Sequence, residues 1–180
     1  DGRLVEVALV GREGAVGGIV SNGRLPAFSR AIAQNGGRFL RVGLRDLDTL
    51  KGRAPGLRNM FSRYADCLMA QVYQATACNA AHSVEARCAK WMLATIDRTG
   101  SKTLVLTHED LAVLLGVGRS YASRILLGMK SDGVVQLSRG RITVDDCEAL
   151  EAIACDCDSL VRAHFETVLA GIYPDSARRE

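Results

Sequence analysis

Arg119, Ser120, Tyr121, Ser123 and Arg124 fall within six consecutive positions, a cluster of hydrogen-bond donors with no acid among them. An arginine fork can donate two parallel hydrogen bonds to guanine O6 and N7, worth about 1–3 kcal/mol of discrimination per good pair. Tyr121 suits a phosphate or a thymine methyl. Arg139 and Arg141 flank Gly140 at what reads as a hairpin tip, where they would meet phosphates and add salt-dependent affinity without reading sequence. Between Val117 and Thr143, Arg119, Arg124, Lys130, Arg139 and Arg141 stand against Asp132 alone, although the whole 180-residue chain carries only +3. A local basic surface gathers polyanions even when the average charge is small.

The other reactive side chains point to no chemistry of their own. Six cysteines (67, 78, 88, 147, 155 and 157) sit mostly within amphipathic helical patterns, which suits buried free thiols in a reducing cytoplasm. Cys78 and His82, four apart, can share a helix face with Cys88 nearby, but two or three ligands fall short of a closed zinc site, so no metal is expected. Cys155-Asp-Cys157 is too short for a C-x-x-C motif and reads as incidental helix residues, with redox sensing as the alternative. His108 is expected to face phosphate or solvent. With no P-loop, Gly-x-Ser-x-Gly, His-Glu-x-x-His or Cys-His nucleophile pair, the chain is not expected to be an enzyme.

The elements that must position the donors are well marked. Thr107 with Asp110 forms a capping pattern for a first helix whose apolar side is Leu111, Leu114 and Leu115. Gly116 supplies the left-handed residue of a sharp turn, and Val117 plugs the elbow. A second helix begins near Gly118 and runs to about Ser131, with Ala122, Ile125, Leu126 and Met129 inward, and Gly133 stops it. Val134–Leu137 and Arg141–Val144 then form a hairpin. That order is a winged helix-turn-helix, whose second helix fits a major groove. Upstream, Ser83 caps a helix over Val84 to about Arg98 with Trp91 in its apolar stripe, ended by Gly100.

A longer helix is predicted from about Gly56 to Asn79, with Leu57, Phe61, Tyr64, Leu68, Val72, Ala75 and Cys78 on one side. Such a stripe needs a second surface, either a parallel partner helix in a homodimer or the chain's own β-domain. Asp46 to Pro55 reads as a polar connector. Before it, Leu4–Val10, Ala15–Val20, Ala27–Gln34 and Arg38–Leu44 read as short strands, with Asn35-Gly36 as a type I′ turn. Four strands are thin for an independent core, and Asp1-Gly2 opens directly into an alternating run, so further strands before Asp1 are expected. No apolar run approaches the roughly 18 residues needed to span a bilayer.

These features together resemble the Crp/Fnr family of bacterial transcription regulators. The resemblance rests on Val5-Glu-Val-Ala-Leu-Val-Gly-Arg-Glu-Gly-Ala-Val-Gly17 as later strands of a cyclic-nucleotide-binding-like β-roll, and on residues 56–79 as a dimerisation helix. It rests also on the Leu-Gly-Val turn, Ser123-Arg124 and the Ser-Arg-Gly-Arg-Ile-Thr wing within a DNA-binding domain from Ser83 to Cys157. It implies a homodimer that binds a near-palindromic operator and contacts RNA polymerase. Arg119 and Arg124 fall where the family places base- and phosphate-contacting residues, but a glutamate common between them is Ser120 here. The family's ribose-binding Gly-Glu pair is Gly17-Gly18, and its phosphate-binding Arg-Ser/Thr-Ala run is Phe28-Ser29-Arg30-Ala31. Among the positions corresponding to an effector site, Gly17, Gly18, Ser29 and Arg30, the carboxylate is absent and Phe28 stands where the arginine belongs. Arg30 is a register-shifted substitute that strand alternation would point to the other face, and a cyclic nucleotide is not expected as ligand.

The expectation is an α+β chain: a partial, jelly-roll-like β-roll over 1–50, a linker and dimerisation helix over 51–80, a winged helix-turn-helix over 81–160 and a C-terminal helix or tail over 161–180. Its function would be sequence-specific binding of double-stranded DNA as a cytoplasmic homodimer, through Thr107, Arg119, Ser120, Tyr121, Ser123, Arg124, Arg139 and Arg141. No cofactor is evident. The alternative is a winged-helix adaptor for protein contacts, which a salt series on promoter DNA would separate from a DNA reader.

Overall fold

Ser83 and Gly100 bracket the helix around which the C-terminal half is built. In the computed structural model, which describes residues 5–12 and 14–172, this helix is α3 (Val84–Thr99). The Ser83 hydroxyl accepts from the Ala86 amide, and Gly100 closes the helix at φ +69°, a conformation that costs glycine little. Two preceding helices, α1 (Leu44–Arg53) and α2 (Pro55–Ala81), and a short strand β1 (Thr103–Leu104) lie on either side of it. Then follow α4 (His108–Leu115), α5 (Arg119–Ser131), β2 (Val135–Ser138), β3 (Arg141–Val144), α6 (Cys147–Ile153) and α7 (Cys157–Val168).

One apolar core holds α3, α4, α5, the sheet and α6 together, through Cys88, Met92, Leu104, Leu111, Leu126, Met129, Ile142, Val144 and Leu150 among others. Trp91 belongs to this core, with its indole N–H donating to the Glu6 carboxylate at 3.0 Å. The sheet is antiparallel in the order β1-β3-β2, with Ser138 opposite Arg141 across a tight Arg139-Gly140 turn. The hairpin read from sequence is present, its first strand shifted by one residue. The sequence reading missed β1, because two residues carry no periodicity; it exists by pairing with Thr143 and Ile142 of β3.

The N-terminal segment departs from expectation. No strand occurs among the described residues of Leu4–Val10, Ala15–Val20, Ala27–Gln34 or Arg38–Leu44, and Leu4 and Glu13 lie outside the described residues. Asn35 does not adopt positive φ, so the type I′ turn is absent too. A strand is held by a neighbour that takes up its N–H and C=O groups. Here no described element supplies one, and Leu25, Phe28, Phe39 and Leu40 are exposed. The connector Asp46–Pro55 is instead mostly α1. Leu44 and Leu47 are half-buried, and Lys51 is buried, donating to the Ser21 carbonyl at 2.9 Å and pairing with Asp48.

The long helix α2 begins with Pro55 in its first turn, where a missing N–H costs nothing. Part of its apolar stripe is covered by the chain itself. Tyr64 is buried and meets Phe165 of α7 edge to face, with centroids 6.2 Å apart. Cys67, Ile19 and Leu169 complete this second cluster, and Phe61 and Leu68 pack against it. Tyr64 is therefore not a free dimer contact. The sequence reading of this stripe overlooked α7, whose own apolar face (Val161, Phe165, Val168) lies among polar residues. Leu57, Val72 and Ala75 remain half-buried, while Met69 and Tyr73 on the same helix are exposed.

The start of α4 shows how local chemistry fixes an element. The Thr107 hydroxyl accepts from the Asp110 amide at 3.1 Å, and Asp110 accepts from the Thr107 amide at 2.8 Å. The Thr107 hydroxyl also donates to Asp110, and these two bonds hold the Asp110 carboxyl below the ordinary carboxylate range. A lowered pKa means stability present above the unfolded carboxylate pKa, about 3.9, and lost as pH falls through the folded value. Thr107→Ala is expected to cost about 0.5–2 kcal/mol in urea unfolding. The stability gap between wild type and Asp110→Asn should be open at neutral pH and close as the pH drops below about 4; a gap that widens in acid would contradict the cap.

Candidate nucleic-acid interface

The turn between α4 and α5 sets the geometry of the basic surface. Gly116 sits at φ +68°, the Gly116 amide donates to Val113 O at 3.1 Å, and the Val117 amide donates to Ala112 O at 2.9 Å. This pair of bonds is a Schellman motif, which satisfies carbonyls that the helix end would leave open. The carbonyl of Leu115 is taken by the Arg87 guanidinium of α3 at 2.7 Å. The chain turns through 109° between α4 and α5, within the range of helix-turn-helix units. Gly133 repeats the stop at the far end of α5, with its amide bonded to Lys130 O and that of Val134 to Met129 O.

With Ala122, Ile125, Leu126 and Met129 buried as expected, α5 turns its opposite face outward. Arg119, Ser120, Tyr121 and Arg124 are exposed there. Arg119 pairs with Glu109 at 3.7 Å with both side chains well exposed, a contact that solvent screening makes weak and easily exchanged. The Arg124 guanidinium lies over the Tyr121 ring, 5.1 Å from its centroid. Such stacking holds a long side chain in one direction. Arg139 and Arg141 stand exposed on the wing, and Gly140 takes the turn at φ +69°.

Two predicted contacts have other duties. Thr107 is exposed but its hydroxyl is engaged in the α4 cap. Ser123 is half-buried, and its hydroxyl bonds His108 Nδ1 at 2.9 Å. His108 therefore faces α5 rather than phosphate or solvent. The sequence could have signalled this pair only through the 109° fold-back of one helix on the other.

The positions corresponding to an effector site, Gly17, Gly18, Ser29 and Arg30, lie on exposed non-strand chain. None of them lines the small cavity of about 70 Å³ between Glu6, Gln71, Gln74 and Trp91. Burial pushes the Cys88 thiol up to about 12, as befits a core residue. A different grouping was not foreseen. Cys78, at the end of α2, and His82 beyond it meet Cys155 and Cys157 from the α6–α7 junction, with one ligand atom from each inside a 4.8 Å span. The sequence count grouped Cys78 and His82 with Cys88, which lies in the core instead, and missed Cys155 and Cys157, because the two pairs are joined only by the packing of α2 on α7.

The sequence profile of the Crp-like helix-turn-helix domain matches residues 86–153. A solved structure from Eubacterium rectale, described as a candidate transcriptional regulator of the Crp/Fnr family, is 26% identical and superposes with a TM-score of 0.50. That match covers 59% of this chain and 49% of the other, so the chain spans about half of that structure's length. FixK2 from Bradyrhizobium japonicum shares the fold at a TM-score of 0.58 and 14% identity, over 63% of this chain and 60% of that one. No curated protein matches the chain.

The His108–Ser123 bond distinguishes support from contact. Ser123→Ala is expected to lower unfolding stability by about 0.5–1.5 kcal/mol, the usual net worth of such a bond. Thermal or urea unfolding of the isolated chain checks this; an unchanged midpoint would show that the bond contributes nothing.

Proposed function

We propose, from the premise that this is a Crp/Fnr-type chain with a Crp-like helix-turn-helix domain over residues 86–153, that it is a sequence-specific DNA-binding transcription regulator. The observation that carries this reading is the outward face of α5, where Arg119, Ser120, Tyr121 and Arg124 are exposed above a fully apolar underside. These side chains occupy the N-terminal half of the second helix, the part that meets base edges in such units. Arg139 and Arg141 on the wing supply phosphate contacts to one side. Ser120 in place of a longer acidic residue leaves the floor of the reading face small, which favours the arginines as its base readers.

A homodimer on near-palindromic promoter sites fits this reading. Two recognition helices would enter successive major grooves about 34 Å apart. Exposed Met69 and Tyr73 on α2, beside half-buried Val72 and Ala75, offer an apolar face for a partner helix. RNA polymerase is the natural further partner, and the cytoplasm the natural compartment. The signal is something other than a cyclic nucleotide, since Gly18 stands where the ribose requires a carboxylate and Phe28 where the phosphate requires a cation. No catalytic role is assigned.

The test is binding to a site that the chain selects from a random DNA pool, compared with non-selected DNA. Arg124→Ala should cost about 1–3 kcal/mol on the selected site and little on other DNA. Arg141→Ala should weaken both alike and reduce the slope of log affinity against log salt by about 1. Affinity indifferent to salt and to both substitutions would instead favour a protein-contact adaptor.

A further inference from the structure

We propose that Cys78, His82, Cys155 and Cys157 form a tetrahedral zinc site that clamps the end of α2 to the junction of α6 and α7. The Cys78 and Cys155 sulfurs are 3.6 Å apart, and the Cys157 sulfur is 3.4 Å from His82 Nδ1. A tetrahedron with Zn–S near 2.3 Å and Zn–N near 2.05 Å has edges of about 3.8 Å between sulfurs and about 3.5 Å from sulfur to nitrogen. Both measured edges fit. One ligand atom from each of the four residues lies within 4.8 Å of the rest, so small side-chain rotations bring the remaining edges to the tetrahedral length.

The ligand chemistry selects the ion. Three thiols and one imidazole are soft donors that suit zinc over magnesium or calcium. Three thiolates around Zn²⁺ leave one negative charge in excess, and Lys90 Nζ stands 3.6 Å from the Cys78 sulfur to balance it. Gln74 Nε2 donates to the Cys157 sulfur at 3.1 Å, an outer bond of the kind that orients metal ligands. Cys78 and Cys157 are buried while His82 is exposed, so the site has a protein floor and a solvent entry. A disulfide between Cys78 and Cys155 would use two of these groups and leave His82 and Cys157 without a reason to converge.

The place of the site gives it a consequence. Only His82 and Ser83 separate α2 from α3, and α3 carries the helix-turn-helix through Arg87. An ion held by His82, by Cys78 of α2 and by the α6–α7 junction restrains that joint. Because binding draws three protons from thiols and ties segments distant in sequence, it should stabilise the folded chain.

The experiment uses the full chain without a metal-binding tag, reduced and stripped with a chelator under anaerobic conditions, then titrated with Co²⁺ and with Zn²⁺. One Co²⁺ per protomer with the intense visible absorption of tetrahedral cobalt and near-ultraviolet thiolate charge transfer is expected, bleached by one equivalent of Zn²⁺. Zinc should also raise the melting temperature. Cys155→Ser should remove the thiolate-rich spectrum, and His82→Ala, at an exposed position that leaves the fold intact, should weaken zinc at least tenfold. Cys147→Ser, outside the cluster, should change nothing. No cobalt spectrum in wild type, a spectrum indifferent to both His82→Ala and Cys155→Ser, or a Cys78–Cys155 disulfide persisting under thiol reductant would each overturn the site.

Discussion

The bond from the Arg87 guanidinium to the Leu115 carbonyl is the contact on which the reading surface depends. A helix that ends at a tight glycine turn leaves its last carbonyls without amide partners. Gly116 and Val117 satisfy those of Val113 and Ala112 through the Schellman pair, and Arg87 takes that of Leu115. Hydrogen bonds to a charged donor are stronger than neutral ones, and this one joins different helices. It fixes α4 to α3, and the shared apolar core then fixes α5 at its angle to α4. Exposed arginines can read a groove only if the helix bearing them is held still.

The outer face of α5 follows from the economy of a two-sided helix. Its inner positions are occupied by core residues, so apart from Ser123, which bonds His108, its polar side chains point out, and Arg119, Ser120, Tyr121 and Arg124 gather there with no competing acid on α5 itself. Glu109 of α4 approaches Arg119 only at an exposed, readily exchanged contact. Arg124 stacked on Tyr121 is partly ordered before any ligand arrives. Less side-chain entropy is then lost on binding.

The C-terminal half and the long helix are coupled more closely than a linker would allow. The packing of α2 on α7 through Tyr64, Cys67, Phe165 and Leu169 places the end of α2 beside the α6–α7 junction. Arg98 of α3 pairs with Asp158 of α7 at 3.6 Å on the same side. α2 is therefore linked to α3 through α7 as well as through the two-residue connection.

The sequence alone determined the winged helix-turn-helix, because its information is local: a capping threonine, glycines at left-handed positions and apolar residues every three or four places. Those signals act within a few residues and need no distant partner. Only tertiary structure decided what depends on distant partners. The runs before residue 44 have strand-like residues yet no strand among the described residues, since backbone groups pair only with a neighbour that sequence periodicity cannot supply. Tyr64 turned to Phe165, Ser123 to His108, and Cys78 with His82 to Cys155 with Cys157, because the fold closed distances that the chain order leaves open.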